Sequence, residues 1–294
     1  MDEYTASEKA QEWGISERSV RNYCQAGRIE GAYLSGKTWR IPRDAAKPKR
    51  KNALRPTSLL DILREEKCCR RKGSIYHRLQ LDLTYNSNHM EGSRLSHDET
   101  RYIYETNTIG LGAKSHRVDD IIETVNHFRC IDAVIAQAHK PLSERVIKQL
   151  HAILKSGTSD ANKDSFAVGA YKNLPNEVGG QETTLPEDVS PAMKALLARY
   201  HGTQTKTLED LISFHHEFES IHPFQDGNGR VGRLILLKEC LKYNIVPFVI
   251  DEELKMFYYR GLQEYPRIQE YLLDTCLTAQ DKFKRILDYF RISY

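Results

Sequence analysis

Residues 222–233 read His-Pro-Phe-Gln-Asp-Gly-Asn-Gly-Arg-Val-Gly-Arg, and this polar, glycine-rich run between two apolar helical patterns constrains the chain more than any other stretch. Gly227 and Gly229 flank Asn228, so the backbone is expected to take positive-φ conformations there and turn its N–H groups inward as an anion-binding nest. The helix expected over about 230–243 starts on this loop, which aims its unpaired amides and positive dipole end at the same spot. Arg230 and Arg233 are three apart on one helix face, where two guanidiniums can fork onto phosphate oxygens. Asp226 would repel a phosphate directly, but it fits if a divalent cation lies between; Mg²⁺ held by one carboxylate plus substrate phosphates is the usual arrangement. His222, at the end of the preceding helix, titrates near neutrality and is placed to take a proton from an attacking hydroxyl. Phe224 alternates with these polar groups and is expected to anchor the loop in the core. The pattern reads as a phosphate site.

Two other metal readings fail on spacing. A calcium loop opening at Asp226 would need a carboxylate at its twelfth position, which is Leu237. His215, His216 and His222 lack the His-Glu-x-x-His spacing of a zinc helix, because after His216-Glu217 the next His comes six positions from His216.

The stretch resembles the complete signature of the Fic family, His-Pro-Phe-x-(Asp/Glu)-Gly-Asn-Gly-Arg-x-x-Arg, with no departure at any fixed position. The resemblance implies an α-helical core and transfer of AMP from ATP to a Tyr, Ser or Thr hydroxyl of an unidentified target protein. It implies His222 as general base, Asp226 as Mg²⁺ ligand and Phe224 as loop anchor. Gly227, Asn228 and Gly229 would form the anion hole, and Arg230 and Arg233 would hold the outer phosphates.

Upstream, Gly73-Ser74 precedes a helical pattern reaching about Met90, with Leu79, Leu83, Ser87 and Glu91 at successive four-residue steps. A core-facing line that finishes in Ser and Glu aims a carboxylate at an interior site, and Gly92 is the expected stop. Residues 87–92, Ser-Asn-His-Met-Glu-Gly, resemble the inhibitory motif (Ser/Thr)-x-x-x-Glu-(Gly/Asn) of Fic proteins with an N-terminal inhibitory helix, here over about 74–92. There the Glu pairs with the second signature arginine, so Glu91 would pair with Arg233 and keep the γ-phosphate of ATP from docking productively.

Residues 169–185 change character. Short β-type runs around a turn expected at about Pro175-Asn176 suggest a hairpin within the helical domain. The family has a flap there that clamps the target main chain by strand addition, and Glu177-Val178-Gly179-Gly180 resembles part of it. Tyr258 and Tyr259 resemble the aromatic pair near the adenine. Family members commonly place an adenine-contacting Asn about two turns later, where this chain has Tyr265-Pro266.

At 294 residues the chain can hold one large domain and a small one. Its net charge of +3 hides an asymmetry: residues 1–55 hold 12 Lys or Arg against 7 Asp or Glu, leaving 31 against 33 in the rest. That basic segment reads as two short helices, capped at Thr5 and Ser16 and joined through Gly14, then a hairpin wing around Ser35-Gly36-Lys37. Residues 1–46 resemble excisionase-like and MerR-like winged helix-turn-helix domains. They imply DNA as a partner through Arg18, Ser19, Arg21, Asn22, Lys37 and Arg40, with a homodimer for paired half-sites. A basic linker is expected at 47–57 and the Fic core over 58–294. Six cysteines without metal spacing, no membrane-length apolar run and no opening signal peptide suggest a cytoplasmic protein with reduced thiols.

The sequence therefore predicts a mainly α protein, an all-helical Fic core with a hairpin flap behind a winged helix-turn-helix, acting as an autoinhibited, ATP- and Mg²⁺-dependent adenylyltransferase that can also modify itself. Two readings stay open: removal of AMP, or transfer of another phosphate group, at the same site, and a DNA-binding regulator whose core senses nucleotide.

Overall fold

The computed structural model describes residues 3–48, 58–109 and 115–294. The chain divides into two compact units, Met1–Arg55 and Pro56–Tyr294.

In the first unit β1 (Glu3–Thr5), α1 (Ala6–Trp13), α2 (Glu17–Gln25), β2 (Tyr33–Ser35) and β3 (Thr38–Pro42) follow in order. Thr5 and Glu8 form a capping box on α1, Gly14 ends it in the left-handed conformation, and Ser16 caps α2 by accepting from the Ser19 N–H. Ser35 pairs with Thr38 across the Gly36-Lys37 turn, as the hairpin reading expects. β1 is not legible in the sequence, because three residues before a capping box carry no period-two signal. It pairs antiparallel with β3, Tyr4 opposite Ile41, and completes a sheet in the order β1-β3-β2. Ala6, Ala10, Val20, Cys24, Ile29 and Ile41 close a small core between helices and sheet.

The second unit holds α3 (Leu59–Cys69), α4 (Ile75–Met90), α5 (His97–Thr106), α6 (Val118–Gln137), α7 (Glu144–Lys155), the hairpin β4 (Glu177–Val178) and β5 (Gln181–Glu182), then α8 (Pro186–His201), α9 (Leu208–Ile221), α10 (Asn228–Lys242), α11 (Lys255–Glu264) and α12 (Glu270–Tyr289). Nearly every residue of α10 is buried, so it is the axis of the fold, with α4, α6, α7 and α9 packed against it. Its far end is pinned by Lys238, whose ammonium donates to the carbonyls of Ala138 and Lys140 and to Glu239. Leu79 and Leu83, Ile131 and Ile135, Leu150 and Leu154, and Phe214 and Phe218 supply matching stripes from the surrounding helices. A helix held this firmly presents its N-terminus, and the loop before it, at a fixed place.

The hairpin does not turn at Pro175-Asn176. It turns at Gly179-Gly180, with φ of 58° and 78°, because a two-residue loop that follows strand twist needs left-handed backbone at both positions, and glycine supplies it at least cost. The expected linker lies outside the described residues from 49 onward. All six cysteines are free, and no described helix is long and apolar enough to cross a membrane.

Candidate active site

The loop takes its shape from its sequence. Pro223 disfavours helical backbone at the residue before it, and α9 ends with His222 in the left-handed region at φ 51° and ψ 62°. Phe224 is fully buried and stacks on the His151 ring at 4.0 Å and 4°, which anchors the loop as expected. Asn228 closes the turn, its Oδ1 accepting the Phe224 N–H and its Nδ2 donating to the Phe224 carbonyl, each at 2.8 Å. Gly227 takes φ 83° and caps α10. Gly229 does not take a positive φ; it lies inside α10, and its small size serves clearance instead. A Cβ there would stand 2.3 Å from Glu91 Oε1 and 3.0 Å from Arg233 Nη1.

A cavity of about 570 Å³ opens over this loop. His222, Gly229 and Arg233 line it together with Glu91 from the end of α4. Val178, Gly179, Glu182 and Thr183 of the flap line another part, and His216, Glu219 and Ser220 of α9 with Tyr259, Leu262 and Gln263 of α11 complete the wall. Arg233 is buried, and its Nη2 donates to Glu91 Oε1 at 2.6 Å and to the Ser87 carbonyl at 3.0 Å, while Nε donates to Ser87 Oγ at 2.9 Å. The four-residue line on α4 thus delivers Ser87 and Glu91 where the sequence reading expects them. Burial works against the charge on Arg233, but the Glu91 carboxylate beside it holds it firmly protonated.

Arg230 goes elsewhere. Three helical residues turn through about 300°, so its side chain departs from that of Arg233 by about 60° and lies outside the cavity lining. Its guanidinium pairs with Glu123 of α6 and, at 3.1 Å, with Asp226 Oδ2. Lys155, buried at the end of α7, binds Asp226 Oδ2 at 2.7 Å, Glu123 at 2.6 Å and Asp160 at 3.1 Å. Burial alone would raise the Asp226 pKa, but Arg230 and Lys155 outweigh it and hold this carboxylate ionised well below the usual range.

His222 is largely enclosed. Asn176 Nδ2 lies 3.0 Å from its Nδ1, and Asn228 Nδ2 lies 3.1 Å from both ring nitrogens. Burial, reinforced by the Lys172 ammonium and opposed by Asp226 and Glu91, brings its pKa down to about 4, so the ring is neutral at pH 7. One turn earlier Glu219 has a buried oxygen with no hydrogen-bond partner among the described residues, and burial pushes its pKa up to about 8. Gly232 makes room for it, since a Cβ at that position would lie 2.3 Å from Glu219 Oε1.

The two tyrosines part company. Tyr259 lines the cavity, and its hydroxyl donates to the Met90 carbonyl at 3.0 Å. Tyr258 points the other way on α11, is buried, and bonds His215 at 2.6 Å, so it is a core residue and not a wall of the cavity. Gln263 lines the cavity, although the sequence reading named no residue there. On the flap Glu177, Val178, Gly179 and Gly180 are all exposed. In the first unit Arg18, Arg21, Asn22 and Lys37 are exposed and Arg40 is half-buried. Ser19 differs: its hydroxyl lies 2.9 Å from Ser16 Oγ within the α2 cap, which occupies it locally.

Lys155, Glu123, Asn176 and Glu219 escape the sequence reading. Each sits among residues that look like an ordinary helix end, surface charge or turn, and only Glu219 leaves a trace, one turn before His222 and so near its face.

Fold and site define a class: a helical core in which a glycine-bearing loop and helix N-terminus, a neutral imidazole and a buried arginine held by a carboxylate meet at one cavity. Residues 141–240, which contain the loop, match the family model of the Fic/DOC family. A protein adenylyltransferase fic-1 of Caenorhabditis elegans is 24% identical over 182 residues, 60% of this chain and 35% of that protein. A protein adenylyltransferase Fic of Aedes aegypti is likewise 24% identical over 182 residues, 61% of this chain and 36% of its own length. The chain thus spans about a third of the curated relatives it matches. Among solved structures, a Fic domain containing signaling protein from Bacteroides thetaiotaomicron superposes with a TM-score of 0.62 at 22% identity, covering 78% of this chain and 94% of that one. Fic-1 from C. elegans gives 0.61 at 19% identity, covering 79% and 71%.

Proposed function

We propose that the second unit transfers AMP from ATP to a Tyr, Ser or Thr hydroxyl of a protein and is held back by Glu91. The observation that carries this reading is the convergence of His222, the amide end of α10 and Arg233 on one cavity bordered by an exposed hairpin. A neutral imidazole accepts the hydroxyl proton as the oxygen bonds to the α-phosphorus; the bond from that phosphorus to the bridging oxygen breaks, and pyrophosphate leaves. The N–H groups at the start of α10 offer fixed donors to charge gathering on the α-phosphate. Arg233, once free of Glu91, offers its guanidinium to the terminal phosphates. Among the acceptors of Arg233 named above, Glu91 is the one a phosphate would have to displace.

The donor chemistry fits Mg²⁺. Lys155 and Arg230 gather on one oxygen of Asp226, the side chain is nearly half exposed, and it stays ionised, which suits an ion that takes one protein oxygen and fills its shell with phosphate and water. When bound, such an ion neutralises phosphate charge and orients the leaving group.

The test is incorporation of label from α-labelled ATP with Mg²⁺, on the protein itself and on a cell lysate, for the unaltered chain, Glu91→Gly and Glu91→Gly/His222→Ala. Strong labelling by the first variant, lost in the second while ATP still binds, is expected. ATP binding without labelling by any form would overturn the transferase reading and favour removal of AMP.

For the first unit, the exposed Arg18, Arg21 and Asn22 on α2 and Lys37 at the hairpin turn, on a segment with five excess positive charges, support a winged helix-turn-helix that reads DNA.

A further inference from the structure

Asn176 stands directly before β4, half-buried, and both ends of its carboxamide are hydrogen-bonded. Its Oδ1 receives Lys172 Nζ and Thr183 Oγ1, each at 2.6 Å. Thr183, just after β5, has one hydroxyl proton to share between that Oδ1 and the Asn176 carbonyl 2.9 Å away, and its N–H donates to the same carbonyl at 3.3 Å. Both ends of the flap therefore close on this one residue. From there the carboxamide reaches the loop: Nδ2 lies 3.0 Å from His222 Nδ1, 3.1 Å from the Phe224 carbonyl and 3.4 Å from the Gln225 carbonyl. The Lys172 N–H adds a backbone tie to the Pro223 carbonyl at 2.9 Å.

The orientation of the amide follows from its partners. A lysine ammonium has only donors, so the atom it meets is the oxygen, and the NH₂ faces the imidazole. The NH₂ in turn has only donors, so a hydrogen bond from it to His222 Nδ1 requires a lone pair on that nitrogen, with the ring proton on Nε2. Asn228 Nδ2, equally far from both ring nitrogens, does not choose between them.

We infer that Asn176 is a positioning residue for His222: it keeps Nδ1 unprotonated and turned to the flap, and yields that nitrogen to a hydroxyl carried by a polypeptide lying on β4. This rests on the transferase reading of the same site. Nδ2 has two hydrogens and three acceptors within 3.4 Å, so it can release the imidazole and stay satisfied by the two carbonyls. The hydroxyl proton then passes to Nδ1 and the ring becomes imidazolium. Because Asn176 adjoins β4, a chain seated on that strand edge lies beside the carboxamide that holds Nδ1. The charged groups that bear on the ring are Lys172 at the flap base, Asp226 in the loop and Glu91 at the end of α4.

The test is nitrogen NMR of the full chain labelled at histidine, paired with transfer kinetics in the Glu91→Gly background. The unaltered ring is expected to be bare at Nδ1 and protonated at Nε2 near pH 7. Asn176→Asp should reverse that tautomer and move the titration up by about one pH unit or more. Asn176→Ala should mix the tautomers and cut kcat about 10²-fold with ATP affinity within about twofold. A proton on Nδ1 in the unaltered protein overturns the inference, even if the variants do not fold, and so does a tautomer indifferent to both substitutions. If the NMR arm holds but no form transfers AMP, the transferase reading falls and with it the yielding to a hydroxyl, while the tie between Asn176 and His222 stands.

Discussion

A solvated histidine would leave a base half protonated near pH 6.5, but His222 is enclosed and faces Lys172, which brings its pKa down to about 4. The sign is then fixed: the neutral form that can accept a proton persists as pH falls and is lost only through about pH 4. We expect kcat/KM for transfer by Glu91→Gly to stay level from pH 8 to 5 on account of this group and to fall below that. Removing Glu91 takes away a charge that favours the imidazolium, so it displaces the limb further to acid. A limb near 6.5 would mean that the ring is open to water in the working enzyme and would sink this account. The loop was legible as a group because its residues are covalent neighbours, but spacing alone misplaced Arg230, which turns from the cavity to Glu123, and Gly229, which is helical. Lys155 and Asn176 were not legible, since a lysine in the last turn of a helix looks like a complement to its dipole, and an Asn after Pro looks like a turn.

At the scale of elements, the contact between α4 and α10 is tight enough to be written into a glycine. Gly229 is helical and could adopt alanine geometry, yet the added methyl would meet Glu91 Oε1 at 2.3 Å. The cost of Gly229→Ala should therefore depend on whether Glu91 is present. In the unaltered chain the carboxylate must leave Arg233 or the helices must part; in Glu91→Gly the nearest obstacle is Arg233 Nη1 at 3.0 Å. Urea unfolding of the four proteins should give a coupling of about 0.5–3 kcal/mol, with Gly229→Ala the less harmful in the Glu91→Gly background. Additivity within about 0.5 kcal/mol would mean that α4 and α10 adjust without strain. The stripe ending in Ser87 and Glu91 made this helix legible, because a line of four-residue steps says which side chains share a face. The hairpin was placed correctly but its turn was not: Pro175-Asn176 and Gly179-Gly180 are both turn signals, and only the pairing of Val178 with Gln181 selects the second. The separation of Tyr258 from Tyr259 needed the packing of α11, since adjacent helical residues point about 100° apart and the sequence does not say which faces the cavity.

On the scale of the whole molecule, each unit closes its own core, and the residues of the candidate site all lie in the second. A function of the first unit therefore has to be tested on its own terms. Charge and exposure direct that test to DNA, and the physics of phosphate contacts makes it quantitative. Each phosphate neutralised by a lysine or arginine releases counterions, so the logarithm of the binding constant falls with the logarithm of salt by about 0.9 per contact. Arg18, Arg21 and Lys37 are exposed, and Arg21 must give up its ion pair with Glu17 to bind. Replacing any one of the three by Ala in the full chain should reduce that slope by about one and weaken binding alike for all sequences. Asn22, exposed on α2 and uncharged, should behave differently: Asn22→Ala should leave the slope alone and relax discrimination between sequences, because a carboxamide reads base edges and not phosphates. A binding constant that does not respond to salt, or a slope that survives all three replacements, would move the first unit from nucleic acid to a protein partner.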